Sequence, residues 1–492
     1  MGYTQKVVII GAGISGLACA HRLKQLGVQC LVLEAEAHPG GIVATARRDG
    51  YLFELGPQCP RFPAPVWRLV RELHLESEFI AADPAAKRHI FRYGALHPAP
   101  FSPAGLLATR LVKLPSKFRI LTEALRSTQP PPHEETLAEF ATRKFGTDVV
   151  DNLADPIIST IFLGDAYKMG MESAFPALVD WERKHGSLVR GAIRARNSKR
   201  QAGATNGRTS PVTSKRDSGS LKVTDALPSL GSFRSGMARL PERLAEELRE
   251  GIRYGIRVES VTLQRSENRE ARAVWQIGLS NGETITAKQV VVSLPAFEAA
   301  RVLERTVPAL AHELNAIEYS PMGGVSSGYD RNRVENRLDG FGFMVPRKEG
   351  IKTICTFWNS SLFPERAPEG KVLMTSFVRS ESSEETSAIN EDAFARTIEA
   401  ENAAILGITG KPEVCHAWIR PRALPQYNVG HSNRVAAIYD FLPTLPNLHL
   451  AGNYLKGRSI AECVELALRV AENVHSQLCE PSIQTVTRSS EE

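Results

Sequence analysis

An unbroken apolar run, Val7-Val8-Ile9-Ile10, leads straight into Gly11-Ala12-Gly13-Ile14-Ser15-Gly16. A buried strand that ends on a tight glycine turn aims backbone N–H groups, and the N-terminus of the following helix, at a diphosphate. The spacing alone is a weak signal, and two neighbours strengthen it. Glu34 closes a second apolar run, Cys30-Leu31-Val32-Leu33, eighteen residues beyond Gly16. A carboxylate there accepts hydrogen bonds from an adenosine ribose. Gly40-Gly41 then follows with Thr45 behind it, a second glycine pair that a plain NAD domain does not need. The chain thus opens as a dinucleotide-binding β-α-β unit. Its candidate contacts are Gly11, Gly13, Ile14, Ser15, Gly16, Glu34, Ala35, Gly40, Gly41 and Thr45. The competing reading is a strand-to-helix turn without a ligand.

At 492 residues the chain is too long for one small core, so two or three domains are expected. No apolar run reaches the length of a membrane span. The first strand starts near residue 6, so no signal or transit peptide is expected, and the protein is expected in the cytoplasm, peripheral on a membrane. The seven cysteines are scattered, odd in number and without Cys-x-x-Cys or Cys/His spacing, which points to reduced thiols and no zinc site. A net charge of +6 is mild, and no basic stripe carries interleaved aromatics, so nucleic acid is a poor fit.

Local signals divide the rest. A helical pattern runs from about 66 to 76, and Ile90 to Leu96 reads as a hairpin through Gly94. Residues 103–190 read as mainly helical, with Thr136 and Glu139 spaced for a capping box. Residues 190–216 hold eight Lys/Arg and no Asp/Glu, a composition that predicts a long mobile loop or a basic segment for acidic lipid. Asn281-Gly282 between two apolar runs predicts a hairpin, and Val290–Leu294 a buried strand. Leu448–Asn453 reads as a last buried strand, followed by a helix from about Ser459 whose N-terminus offers unpaired N–H groups.

Several stretches outside the nucleotide turn are distinctive: Glu54-Leu55-Gly56-Pro57, Gly94-Ala95-Leu96-His97, Gly340-Phe341-Gly342 with Val345-Pro346, Phe363-Pro364-Glu365, Pro425-Gln426-Tyr427 with Gly430-His431, and Ala451-Gly452-Asn453-Tyr454 with Gly457 and Cys463-Val464. With Gly11–Leu17 they make the chain, over nearly its full length, resemble the FAD-dependent protoporphyrinogen oxidases of haem biosynthesis, within the flavin amine oxidase superfamily. The resemblance implies an α/β fold: a discontinuous Rossmann-like FAD-binding domain, an α+β substrate domain and an α-helical membrane-associating domain. The division expected is FAD-binding at 1–85, 230–295 and 421–492, substrate domain at 86–102 and 296–420, and helical domain at 103–215.

The resemblance further implies non-covalent FAD, since no Cys or His sits in an evident flavin-linking motif. It extends the cofactor contacts to Gly56, Pro57, Val258, Ser293, Gly452, Asn453, Ser459 and Ile460. The implied activity is oxidation of protoporphyrinogen IX to protoporphyrin IX in three two-electron steps, with oxygen reduced to hydrogen peroxide. Arg88 aligns with the arginine that grips a propionate, with Arg92 as its rival. Phe341, Met344, Phe357 and Phe377 align with the apolar walls that sandwich the rings. No metal is implied and no side-chain acid or base is assigned. A membrane surface, ferrochelatase and a second copy of the chain are the implied partners. The alternatives left open are coproporphyrinogen III oxidation, a flavin amine oxidase, and a non-catalytic flavin or porphyrin carrier.

Three departures from the family stand out. His38 stands where an arginine often lies near the diphosphate, Arg458 stands where a small apolar residue usually follows Gly457, and Leu466-Ala467 replaces a Ser/Gly pair. Residues 104–125 also carry Leu106, Leu107, Leu111, Leu114, Phe118 and Leu121 among Arg110, Lys113, Lys117 and Arg119. This basic amphipathic stretch reads either as a helical pair broken at Pro115 and packed on the core, or as a surface that also lies in a lipid interface.

Overall fold

The computed structural model describes residues 4–205, 229–264, 274–378 and 390–479. Two seven-stranded sheets organise it. The first takes the Val/Ile-rich runs. In space its order is Ile252–Arg253, Leu31–Leu33, Thr4–Ile10, Thr284–Val292, Val274–Leu279, Val258–Gln264, with Leu448–Leu450 alongside the later half of Thr284–Val292. The four strands from Ile252–Arg253 to Thr284–Val292, and Leu448–Leu450, pair in parallel. Val7–Ile10 and Val290–Val292 are buried without alternation, as in strands covered on both faces, whereas Thr284–Lys288 alternates. Ile14–Gln25, Arg239–Glu247 and Ile460–Cys479 bury Leu17, Leu240, Leu244, Val464 and Ala467 against them. The predicted hairpin forms, with Gly282 at φ +83° in its turn.

The second sheet is Val414–Pro425, Tyr319–Asp330, Lys371–Val378, Thr353–Phe357, Gly342–Met344, Arg88–Arg92, Ala95–Pro98. The Arg88–Pro98 hairpin turns through Tyr93 and Gly94, both at positive φ, as a tight two-residue turn demands. Two expected boundaries move. Helices Ala296–Leu303 and Pro308–Asn315 place Ala299, Leu303, Leu310 and Leu314 in the first core, although the expected division at 296 separates them from it. The strand from Val414 continues to Pro425, past the expected break at 420.

Helices Pro103–Ala108, Leu114–Leu121, Leu137–Phe145, Asp155–Phe162, Pro176–His185 and Leu188–Thr205 form the third layer. Thr136 and Glu139 form the predicted reciprocal cap. The predicted loop from 190 is instead helix up to Thr205; residues 206–216 of that prediction lie outside the described residues. The physical reason is a remote cap. The Glu123 carboxylate accepts N–H bonds from Leu188 (2.7 Å) and Val189 (3.0 Å) and the Ser187 hydroxyl (2.7 Å). It thereby satisfies orphan donors at the positive end of the helix. Among the described residues no helix is long and apolar enough to cross a membrane.

Beneath these helices lies a buried charge cluster. Glu182 meets Lys144 at 2.7 Å and Arg143 at 2.8 Å, and Arg143 also holds Glu135 at 2.6 Å. Burial alone would raise the Glu182 pKa, but hydrogen bonds from Arg143, Lys144 and Thr128 overcome it and hold the group at about 2. A carboxylate depressed in the folded state contributes stability above its unfolded pKa and loses it as pH falls toward the folded value. Glu182→Gln should therefore lower stability at neutral pH by roughly 2–3 kcal/mol and shrink the loss that the native protein suffers between about pH 4.5 and 2. Urea midpoints at pH 7 and pH 3 check this. A variant whose acid loss matches the native protein's would place that loss on other groups.

Candidate cofactor and substrate site

The glycine turn is built by collision avoidance. A Cβ at Gly16 would strike the Gly11 carbonyl oxygen, so helix Ile14–Gln25 can approach the strand only with glycine there. Gly11 sits at φ +102°, a conformation that favours glycine. The Ser293 hydroxyl donates to the Ile10 (2.8 Å) and Gly11 (2.9 Å) carbonyls and fixes the turn from below. Gly13 caps the helix, and a Cβ there would meet nothing within 4 Å. The open space thus lies in front of the helix N-terminus. Ile14 and Ser15, both buried, are the helix's first residues.

The second glycine pair closes on the first. Gly13 bridges Gly40, the Gly40 N–H donates to the Ala12 carbonyl at 2.9 Å, and Gly41 lies beside the Gly13 Cα. Gly56 packs so tightly on the Ile42 carbonyl that any side chain would collide with it, and Pro57 follows half-buried. Glu34 ends its strand with one carboxylate oxygen on the Ala12 N–H (2.6 Å) and the other on the Glu36 N–H (2.9 Å). Ala35 is half-buried beside it. The Ile256 N–H donates to the Glu34 carbonyl at 2.8 Å, which draws the Val258 strand to the same edge. Val258 itself is buried in the core.

Thr45 does something different. Its hydroxyl donates to Glu54 at 2.8 Å and accepts from the Ala238 N–H at 3.0 Å. Glu54 belongs to a fully buried pair with Arg366, joined at 3.0 Å. The sequence reading missed that pair: 312 residues separate the partners.

The last strand delivers Gly452 and Asn453, and the Asn453 carbonyl accepts the Tyr427 hydroxyl at 2.7 Å. Ser459 caps helix Ile460–Cys479: its hydroxyl donates to Glu462 (2.7 Å) and accepts the Glu462 N–H (3.2 Å). That hydroxyl is therefore engaged locally, and Ile460 behind it is buried. Arg458 turns inward. Its guanidinium lies 4.1 Å from the Phe162 ring centre and 4.7 Å from that of Tyr427, and Nη1 donates to the Phe162 and Pro425 carbonyls. Burial brings its pKa down to about 10, so it stays charged at neutral pH. Tyr427 stacks on His431, 4.2 Å between ring centres, and burial holds His431 neutral with a pKa of about 4. Arg458 is thus the pin between the helical layer and the Asn453 turn.

On the second sheet an aromatic row runs from Arg88. Its guanidinium sits 4.1 Å from the Phe341 ring centre and, among the described residues, forms no ion pair. Burial lowers its pKa. Phe341 meets Phe357 at 6.4 Å, Phe357 meets Phe377 at 5.9 Å, and Phe377 meets Trp418 at 5.8 Å, all near edge-to-face. Met344 packs in the same cluster as Phe377 and Trp418. Trp418 lay in no motif of the sequence reading, and its Nε1 is buried without a partner. The rival Arg92 is occupied: it pairs with Glu349 and donates to Asn152 at 2.8 Å.

These residues fit FAD. The open Gly13 end would receive a diphosphate and the Glu34 edge a ribose, with the Asn453 turn and the Ile460 helix N-terminus on the far side. Comparison with known proteins agrees. The family of flavin-containing amine oxidoreductases matches residues 14–475. The chloroplastic protoporphyrinogen oxidase of Nicotiana tabacum is 30% identical over 481 residues, 95% of this chain and 85% of that protein. A coproporphyrinogen III oxidase of Bacillus subtilis (strain 168) is 26% identical across 93% of this chain and 95% of its own. The crystal structure of a candidate protoporphyrinogen oxidase from Exiguobacterium sp. 255-15 superposes with a TM-score of 0.75 at 22% identity, covering 97% of this chain and 100% of that one. The chain belongs to the flavin-containing amine oxidoreductase family, and it is an FAD-dependent oxidase.

Proposed function

We propose that the protein oxidises protoporphyrinogen IX to protoporphyrin IX with oxygen as acceptor. The observation that carries this reading is Arg88, half-buried and without a carboxylate partner, at the end of the Phe341–Phe357–Phe377–Trp418 row. An apolar wall that ends on an unpaired guanidinium, with Arg61 within reach of its charge, suits a large apolar disc bearing carboxylates on one edge. The only other arginine on that strand, Arg92, is paired, so Arg88–Arg92 offers one open fork. The relatives named for both substrates support the reaction class.

The Gly13 and Gly41 turns, Glu34 and the Asn453 turn would hold FAD, which would supply a two-electron hydride acceptor that oxygen can reoxidise, one peroxide per two electrons. The chain's residues do the rest. Arg88 fixes the carboxylate edge. Phe341, Phe357 and Phe377 pack against the macrocycle, orient it and exclude water. Over three rounds the four meso carbons give up three hydrides and one proton and the pyrrole nitrogens two protons; the meso proton can move to a ring nitrogen by imine–enamine tautomerisation, so six electrons and six hydrogens leave without a dedicated side-chain base.

Arg88→Ala should remove a charge-assisted contact of roughly 1.5–3 kcal/mol, a loss of about ten- to a hundred-fold in kcat/KM. FAD content should not change, Arg88→Lys should recover part, and a dimethyl-ester substrate should be nearly indifferent. Equal losses on acid and ester would make Arg88 a structural residue.

Membrane contact belongs to the same proposal. Leu111 is buried in the core, while Leu114 (78% exposed), Phe118 (68%) and Leu125 (84%) face outward with Leu107, Leu121 and Phe101. Lys113 and Arg119 flank them. Such a basic apolar patch suits the interface of an anionic bilayer. The double variant Leu114→Glu/Phe118→Glu should lose co-sedimentation with anionic vesicles and keep its turnover of dissolved substrate. Unchanged sedimentation would remove this patch from the account.

A further inference from the structure

The glycine turns at 11–16 and 40–45 contain no lysine or arginine, yet a diphosphate brings two negative charges into them. His38 does not supply the cation. It is exposed, and its ring nitrogen is 3.4 Å from the Pro39 carbonyl. Arg47, the next arginine along, donates to the Ser235 carbonyl, and Arg253, beside Glu34, pairs with Glu283. One guanidinium reaches the turns from elsewhere. Arg420 stands on strand Val414–Pro425 of the second sheet, opposite Met322 and two residues beyond Trp418. Its Nη1 donates to the Gly41 carbonyl at 3.5 Å. Among the described residues its side chain has no other hydrogen bond and no ion pair. The Glu36 carboxylate acts on its charge, but the two form no ion pair.

Gly41 lies beside the Gly13 Cα, and Gly13 faces the open space before the N-terminus of helix Ile14–Gln25. A half-buried cation with one long hydrogen bond therefore borders the place where the helix end is built to receive an anion. A guanidinium matches two phosphate oxygens in a planar fork, which a histidine ring or backbone N–H group does not. We propose that Arg420 is the cation that grips the diphosphate of FAD, reaching the nucleotide groove from the substrate-side sheet. The residue then ties the two sheets together through the cofactor. The inference concerns the cofactor alone and is independent of which compound is oxidised, so its failure would leave the porphyrinogen reading untouched.

The test uses the FAD-loaded protein, with Arg420→Gln and Arg420→Lys. FAD release is followed after dilution at low and high NaCl, beside the visible spectrum and midpoint potential of the bound flavin. Arg420→Gln should speed release about ten- to a hundred-fold at low salt and lose most of the native protein's salt dependence. Arg420→Lys, which keeps the charge without the fork, should fall between them and supplies the answer if the glutamine variant does not fold. Spectrum and potential should stay as in the native protein. Unchanged release from either variant would overturn the proposal. So would a shifted spectrum or potential, which would put Arg420 at the ring and not at the diphosphate.

Discussion

Arg366→Ala is expected to destabilise the folded protein by about 3–5 kcal/mol, the usual cost of stripping one partner from a buried ion pair. Arg366 has no exposed side-chain surface and Glu54 almost none. Nη2 of Arg366 donates to Glu54 (3.0 Å), to the Ser232 hydroxyl (2.6 Å) and to the Phe233 carbonyl (3.1 Å). Without it, the Glu54 carboxylate keeps the Thr45 hydroxyl and the Met237 N–H but has no counter-charge. The pair also joins the strand Tyr51–Glu54, which leads into the Gly56 turn, to the short helix at Pro364–Arg366. Weaker FAD retention should therefore accompany the loss. Adding Glu54→Gln to Arg366→Leu should regain part of the stability, because the orphaned charge is gone. Urea unfolding reads both. A fall below about 1 kcal/mol for Arg366→Ala would mean that water reaches Glu54 and solvates it.

Gly13→Val should strip most of the FAD from the purified protein while leaving the fold nearly intact. Gly13 has φ −70° and ψ 176°, backbone values open to any residue, and a Cβ there meets no protein atom within 4 Å. The valine would instead fill the space in front of the helix N-terminus. Overpacking of that kind costs up to about 3 kcal/mol, on the order of a hundred-fold in affinity. The purified variant should be nearly colourless and should melt like the native protein stripped of FAD. Gly16→Val is the contrast: it collides with the Gly11 carbonyl and should fail to fold. A yellow Gly13→Val protein at full occupancy would show that this turn does not hold the nucleotide.

What could be read in the sequence was local. The strand-turn-helix at Gly11–Gly16, the Asn281-Gly282 and Tyr93-Gly94 turns and the Thr136/Glu139 cap each place their physical cause within a few residues. What escaped depends on partners far apart in the chain. Composition argued against a helix beyond residue 190, and Glu123, 65 residues before Leu188, supplies the cap that starts one. Thr45 was placed at the cofactor because it follows Gly40-Gly41, but its hydroxyl serves Glu54. Helices Ala296–Leu303 and Pro308–Asn315 carry apolar faces that fit either sheet, and only packing shows that they cover the first. Arg458, which from the sequence could point to solvent or lie near the flavin edge, is fixed by two rings and two carbonyls from other segments. Spacing back from Leu96 favours Arg88 over its rival Arg92, but that Arg92 is already engaged depends on Glu349, 257 residues away.

The most direct test of the central claim gives the purified, FAD-loaded protein protoporphyrinogen IX and coproporphyrinogen III side by side in air-saturated buffer. Porphyrin fluorescence and hydrogen peroxide are followed together. The account predicts three peroxides per porphyrin formed and a higher kcat/KM for protoporphyrinogen, with the preference reduced in Arg88→Ala. A yellow protein that binds porphyrin but yields neither fluorescence nor peroxide above the uncatalysed rate, or one that oxidises simple amines instead, would contradict it.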